Sequence, residues 1–381
     1  MRRMAAYRVL ALALMVLAGI SACRKQENEV LAPIRFTCAP LVEVTTKANG
    51  SFISGSGPIV DGQHFGVYAW NTGDSYLSSN PGSPNFISSV WDVTFKDNED
   101  KGKNNTYDAG AVDNIWPRTS GYEYSFAAYY PYDPYGGSGI SGPLWTSGTV
   151  GVYSFTAQST AASMVDFCVS DIANDITYGA TNSGYDGTVQ LTFHHTLCRV
   201  QLKFVKAQDV DEDLHIKILD AKLKNVRTKG TLTATYDQGS TTLTWSGQNT
   251  LADYDITLNG VDPDPEASRK VELDYTQTVA ASDVFLMVPD EVRASNESDP
   301  QKLCFQWQVE DGEPTETELC LSDCVKTLGN PTPADIDWEA NSFVTYTIVI
   351  RAKPIEFSDV AVTITSWDAE PEVNGYYPII L

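Results

Sequence analysis

Histidine and basic side chains are what this 381-residue chain has least of. Four His leave little material for a metal centre, and 26 Lys plus Arg stand against 49 Asp plus Glu, a formal net charge of −23. Phosphate binding needs a basic face, so this balance argues against a nucleic-acid partner. Charged residues make up only 20% of the chain and apolar ones 42%, which excludes wholesale disorder, where hydrophobicity is low and charge high. Apart from the N-terminus, no stretch approaches the roughly 20 apolar residues of a membrane span. Sustained 3.6-residue periodicity is also missing; the best short-helix candidate is Ala161 to Ala173.

Catalytic patterns are absent as well. There is no Gly-x-Ser-x-Gly, no His-Glu-x-x-His and no Gly-rich loop leading into a helix, so no catalytic residue, cofactor or metal ligand set is nominated. His194 and His195 are adjacent within the expected strand Val189 to Val200. Neighbouring side chains on a strand point to opposite faces, so the two cannot ligate one ion. Asp97 to Gly102 begins like a calcium loop, but Lys101 stands where an oxygen ligand is needed and Asp108 takes the twelfth place. It reads as a solvated acidic loop, with calcium binding outside the EF-hand pattern as the alternative. The expectation is a structural or binding protein rather than an enzyme.

What is present begins with an export signal. Arg2, Arg3 and Arg8 precede the unbroken apolar run Val9 to Ala18, about half of what a bilayer span needs. Ile20-Ser21-Ala22-Cys23 resembles a bacterial lipobox, in which residues 1–22 are removed and Cys23 becomes the acylated first residue. An ordinary secretory signal with a coincidental Cys is the alternative. Residues 23–33 are polar and read as a tether. The other six cysteines, Cys38, Cys168, Cys198, Cys304, Cys320 and Cys324, read as buried thiols in preference to disulfides or metal ligands.

Tyr, Phe and Trp number 19, 14 and 8, with 27 Gly and 19 Pro, a composition of strands and turns. Val189, Leu191 and Phe193 step by two, as do Val200, Leu202 and Phe204, which places each set on one sheet face. Similar runs occur at 65–70, 122–129, 214–219, 231–236, 284–288, 303–309, 343–350 and 355–364. Many short strands separated by Gly, Pro, Asn and Asp turns predict an all-β sandwich architecture. A chain of this length suggests two domains at about 150 residues each. The acidic segment Ala207 to Asp213 marks the expected boundary, giving domains 34–207 and 208–381. In the first, Tyr129 to Tyr135 alternates aromatic residues with Pro, so Tyr132 and Tyr135 are candidates to stack on a sugar or on a partner surface. A rigid turn closing the strand is the competing reading.

Several segments, in order, resemble the fimbrillin family, the type V pilins and their relatives: the lipobox, Thr45-Thr46-Lys47-Ala48, the strand at 65–70, Trp116-Pro117, and Tyr124 to Pro131 (YSFAAYYP). Val189 to Phe204 is similar to that family's "L-x-F-x-H" strand pair, and Trp338 to Trp367 resembles its C-terminal strands. The resemblance implies two tandem transthyretin-like, Greek-key β-sandwich domains and a lipoprotein precursor carried to the outer membrane. It also implies a maturation protease that cuts after a basic residue and removes the first strand. The exposed groove then accepts a strand from another pilin subunit, giving a surface fimbrium. Lys47 matches the family's cleavage position, with Arg35 the weaker candidate, although the family usually has Arg at that site. The freed segment Ile34 to Val44, with Pro40, reads as an edge strand. Val373 to Leu381 is either the donor strand or the last strand of its own domain. A lipid-anchored surface protein that binds host or environmental glycans is the alternative function.

Overall fold

The structure is a computed structural model, and it describes residues 34–38, 64–73, 83–94, 107–108, 123–132, 137–147, 149–176, 188–207, 210, 213–237, 240–259, 271–273, 280–282, 284–324, 337–351 and 360–366. Strands dominate, as the aromatic and β-branched composition requires. In chain order they are β1 (Arg35–Cys38), β2 (His64–Gly73), β3 (Ile87–Thr94), β4 (Tyr107–Asp108), β5 (Glu123–Tyr130) and β6 (Ile140–Ser147). There follow β7 (Val150–Thr156), β8 (Cys168–Ser170), β9 (Ala173–Ile176), β10 (Thr188–Leu191), β11 (Phe193–His195) and β12 (Cys198–Lys206). Next come β13 (Ile216–Asp237), β14 (Ser240–Asp255), β15 (Leu258–Asn259), β16 (Val271–Leu273) and β17 (Ala280–Ser282). The last are β18 (Phe285–Met287), β19 (Lys302–Val309), β20 (Thr315–Cys320), β21 (Ser342–Ile350) and β22 (Val360–Ser366). Among the described residues there is no α-helix, only 3-10 turns at Ala161–Ser163 and Leu321–Asp323.

The first sheet has nine strands in the order β10-β1-β4-β3-β2-β5-β8-β11, with β9 joined to β5. It is buried on both faces. Phe65, Val67 and Ala69 of β2 and Phe126 and Ala128 of β5 enter one small core, while Tyr68, Trp70, Ala127 and Tyr129 enter the large one. That explains why Tyr124 to Tyr130 is buried at every position: a two-sided sheet calls for a continuous apolar run rather than an alternating one.

The second sheet runs β15-β17-β12-β21-β22, with β18 on β12, and the third runs β20-β19-β13-β7-β6, with β14 and β16 on β13. Strands from both sides of residue 207 meet in these sheets. β12 lies parallel to β21 from Arg199↔Phe343 to Lys206↔Ile350, and β7 is antiparallel to the far half of β13.

Three local expectations need correction. Ala161 to Ala173 is not a helix: only Ala161–Ser163 turns, and β8 and the start of β9 follow. The stretch from Val189 to Val200 is not one strand. It breaks at Thr192 and at Thr196-Leu197, and the second break carries the chain from the first sheet to the second. The runs at 214–219 and 231–236 belong to the single strand β13, which the alternation hides because its buried positions slip from Ile218 to Ala221 and from Leu223 to Val226. Register shifts at those points mark β-bulges, and Asn225 takes φ +60, a left-handed conformation that Asn tolerates better than most residues.

Candidate functional site

β1 holds four residues and is paired on both flanks. It runs parallel to β10 from Arg35↔Thr188 to Cys38↔Leu191, and antiparallel to β4 at Arg35↔Asp108 and Phe36↔Tyr107. The expected edge position is therefore corrected: β10 is the outer strand and β1 lies one place in. The reason is long-range. Val189 and Leu191 are fully buried, and burying them brings β10 up alongside β1.

Strand alternation turns Ile34 and Phe36 inward, leaving them 1% and 0% exposed. The Phe36 ring meets Phe65 and Phe126 edge-on, with centroids 6.1 and 5.8 Å away, a favoured aromatic geometry. Phe193 closes the same pocket against Phe65. Phe36 is thus a plug in the small core, delivered by a short segment near the chain's start.

Other residues singled out from sequence fall in different places. Arg35 is within β1, while Cys23, Lys47, Tyr135 and Val373 to Leu381 lie outside the described residues. Tyr132 is half-buried; its backbone N–H donates to the His64 carbonyl at 2.9 Å and its ring stands edge-on to Tyr129. Behind it are Tyr68, Trp70, Trp145 and Tyr236, with Trp70 and Trp145 centroids 5.0 Å apart. Burial pushes the Tyr68 phenol up to about 12 and holds those of Tyr129, Tyr153 and Tyr236 well above their ordinary value, so all four stay neutral. The inner members of this aromatic group are core, and Tyr132 is its outer member.

The two histidines do point apart. His194 shares a hydrogen bond with the Asp171 carboxylate at 2.8 Å, which holds its imidazole above the ordinary 6.5. His195 faces the small core instead. Its register partner across the β8–β11 ladder is Cys168, and Asp166 stands two residues before Cys168, on the same side. His195 Nδ1 lies 2.8 Å from Asp166 Oδ2 and 3.4 Å from Cys168 Sγ. Sequence reasoning missed this group because Asp166 and His195 are separated by 29 positions. The only local hint was the inward phase that His195 shares with Phe193.

The sequence profile described as Fimbrillin-like matches residues 46–367. Among solved structures, a fimbrial protein from Bacteroides vulgatus is 17% identical, with 88% of this chain and 99% of that chain covered at a TM-score of 0.56. A candidate cell adhesion protein from Bacteroides uniformis is 15% identical, covering 90% and 100% at a TM-score of 0.48. A candidate polysaccharide-binding protein from Bacteroides thetaiotaomicron is 9% identical, covering 90% and 100% at 0.39. No curated protein matches the sequence. The resemblance carried by Tyr124 to Pro131 and Val189 to Phe204 is therefore membership, and the chain belongs to the fimbrillin-like family.

Proposed function

We propose that this protein is a structural and adhesive subunit of a surface fimbrium, acylated at Cys23, held at the outer membrane as a precursor, and polymerised after its first strand is removed. The observation that carries the reading is the seat of β1. This strand and the Ile34 before it supply Phe36 and Ile34 to a closed apolar core, yet only residues 39–63 join it covalently to β2, and Lys47 stands among them. A cut after Lys47 turns an internal strand into a separate peptide. Its departure bares the inner edges of β10 and β4 together with the Phe36 pocket, a slot open along its length between two strands. Unpaired backbone groups and exposed apolar surface make such a slot a receptor for a strand from another subunit. Arg35 is the poorer cleavage site. Its backbone is tied into the ladder on both sides, and a protease requires the chain around the scissile bond to be free.

The test is digestion of the purified precursor with a trypsin-like protease, followed by N-terminal sequencing and electron microscopy. The expected product begins at Ala48 and forms polymers, whereas a Lys47→Ala precursor stays monomeric. A Lys47→Ala precursor that still matures and polymerises normally would overturn the assignment of the site.

A further inference from the structure

The strand-exchange reading leaves one cluster unused. Asp166, Cys168 and His195 are 0%, 0% and 4% exposed, and a carboxylate oxygen, a sulfur and a ring nitrogen from the three lie within 4.8 Å of one another. Two contacts converge on a single atom, His195 Nδ1, which lies 2.8 Å from Asp166 Oδ2 and 3.4 Å from Cys168 Sγ. Asp166 Oδ1, in a residue with no solvent exposure, has no hydrogen-bond partner among the described residues. Burying a polar oxygen unpaired is costly, and this one sits beside two metal-ligand side chains.

We propose that Asp166, Cys168 and His195 bind one divalent transition-metal ion of the zinc class. Carboxylate oxygen, thiolate sulfur and imidazole nitrogen are all donors that Zn²⁺ accepts. On binding, Cys168 gives up its thiol proton to solvent, while His195 binds as a neutral imidazole whose single ring proton sits on Nε2, leaving the Nδ1 lone pair for the ion. Bonds from the ion to sulfur, nitrogen and oxygen form with no change of oxidation state. One thiolate and one carboxylate balance the ion's two positive charges, so the buried set becomes neutral, as a dry core requires. The otherwise unpartnered Oδ1 can complete fourfold coordination from the same side chain. Closed, solvent-free coordination is the mark of a structural ion rather than a catalytic one.

The ion's position gives it a job. Cys168 is on β8 and His195 on β11, the last strand of the first sheet, directly before Thr196-Leu197 leads into β12. The Thr196 carbonyl accepts a 2.7 Å hydrogen bond from Trp245 Nε1 of β14. An ion there pins the point where the chain leaves one sheet for the next.

The experiment uses the full chain without a histidine tag, with Zn²⁺ and Co²⁺ as probes, read by elemental analysis, native mass spectrometry and absorption. One ion per chain, a thiolate-to-cobalt charge-transfer band, and a Tm that falls on chelation and recovers with Zn²⁺ are expected. Cys168→Ser and Asp166→Asn should each weaken binding by at least about tenfold, while a Cys320→Ser/Cys324→Ser chain keeps the band. Folded wild-type protein that takes up neither metal stoichiometrically, with no Tm response to Zn²⁺, overturns the proposal without recourse to any variant. So does binding that Cys168→Ser leaves undiminished, because the ion then lies elsewhere.

Discussion

β1 and β13 are the two extremes of this molecule. β1 has four residues, pairs with two strands and, with Ile34 just before it, places Phe36 in one small core. β13 has 22 residues, of which ten are buried, and pairs with β7, β14, β16 and β19. Both are internal strands. The difference is connectivity. β1 comes first among the described strands and pairs with two strands only; β13 is the spine on which the third sheet is assembled. A subunit that exchanges a strand needs both kinds, one to surrender and one to hold the remainder together.

The sharpest way to break the comparison is to attack what fixes β13. Around its bulge, Arg227 Nη1 donates to Asp290 Oδ1 at 2.7 Å, Arg293 Nη1 to Oδ2 at 2.9 Å and Gln301 Nε2 to Oδ2 at 3.1 Å. Arg293 also donates to the Asn225 carbonyl, and Asn225 Nδ2 to that of Pro300. Asp290 is 6% exposed and Arg293 5%, so removing the carboxylate leaves a buried guanidinium uncompensated. Asp290→Ala is expected to cost about 3–5 kcal/mol, measured by denaturant unfolding, in the full chain and equally in a chain beginning at Ala48. A loss confined to one of the two would deny β13 its role as the common spine.

Phe36→Ala should behave oppositely. In the full chain it empties a fully buried ring site and is expected to cost about 3–5 kcal/mol, the upper part of that range applying if the pocket cannot collapse. In the chain beginning at Ala48 the residue is absent, so stability there sets the floor toward which the variant moves. Thermal unfolding of wild type, Phe36→Ala and the shortened chain checks the order. A variant as stable as wild type would mean that Phe36 is not the plug.

The same contrast decides what could be read from sequence. Residues that obey a local period were legible: Val200, Leu202 and Phe204 step by two and are all fully buried in β12. β13 was legible only in its halves, because each bulge resets the phase of the alternation and no local pattern spans it. The seat of β1 was beyond local reading, since its partner β10 lies more than a hundred residues away and the pairing is parallel. A Pro nearby suggested an edge; the burial of Val189 and Leu191 overrode it. The inward direction of His195 follows from the strand alternation it shares with Phe193, but the approach of Asp166 and Cys168 depends on which strand becomes the ladder partner. Pairing partners come from tertiary assembly, and that is where the reading stopped.

The smallest expected effect lies at the rim of the third sheet, where β19 and β20 meet. Hydrogen bonding from Lys302 first, then from the Cys304 thiol, holds the Glu318 carboxyl down from the ordinary 4.5 to about 2, with Lys224 also within 3.2 Å. A carboxyl depressed on folding adds stability above its unfolded value, and that stability drains away as acid protonates it. The window is therefore pH 4.5 falling to about 2. Glu318 is 41% exposed, so solvent and salt screen most of the interaction. Glu318→Gln should lower Tm by only about 1–2 °C near neutral pH, and the gap from wild type should close as pH drops through that window. Added salt should narrow the gap at neutral pH, whereas the losses from Asp290→Ala and Phe36→Ala, which arise in the interior, should persist. A gap that widens in acid would mean that the Glu318 carboxyl is not held below its ordinary range in the folded chain, and that the rim at β20 is tied down by something other than its charges.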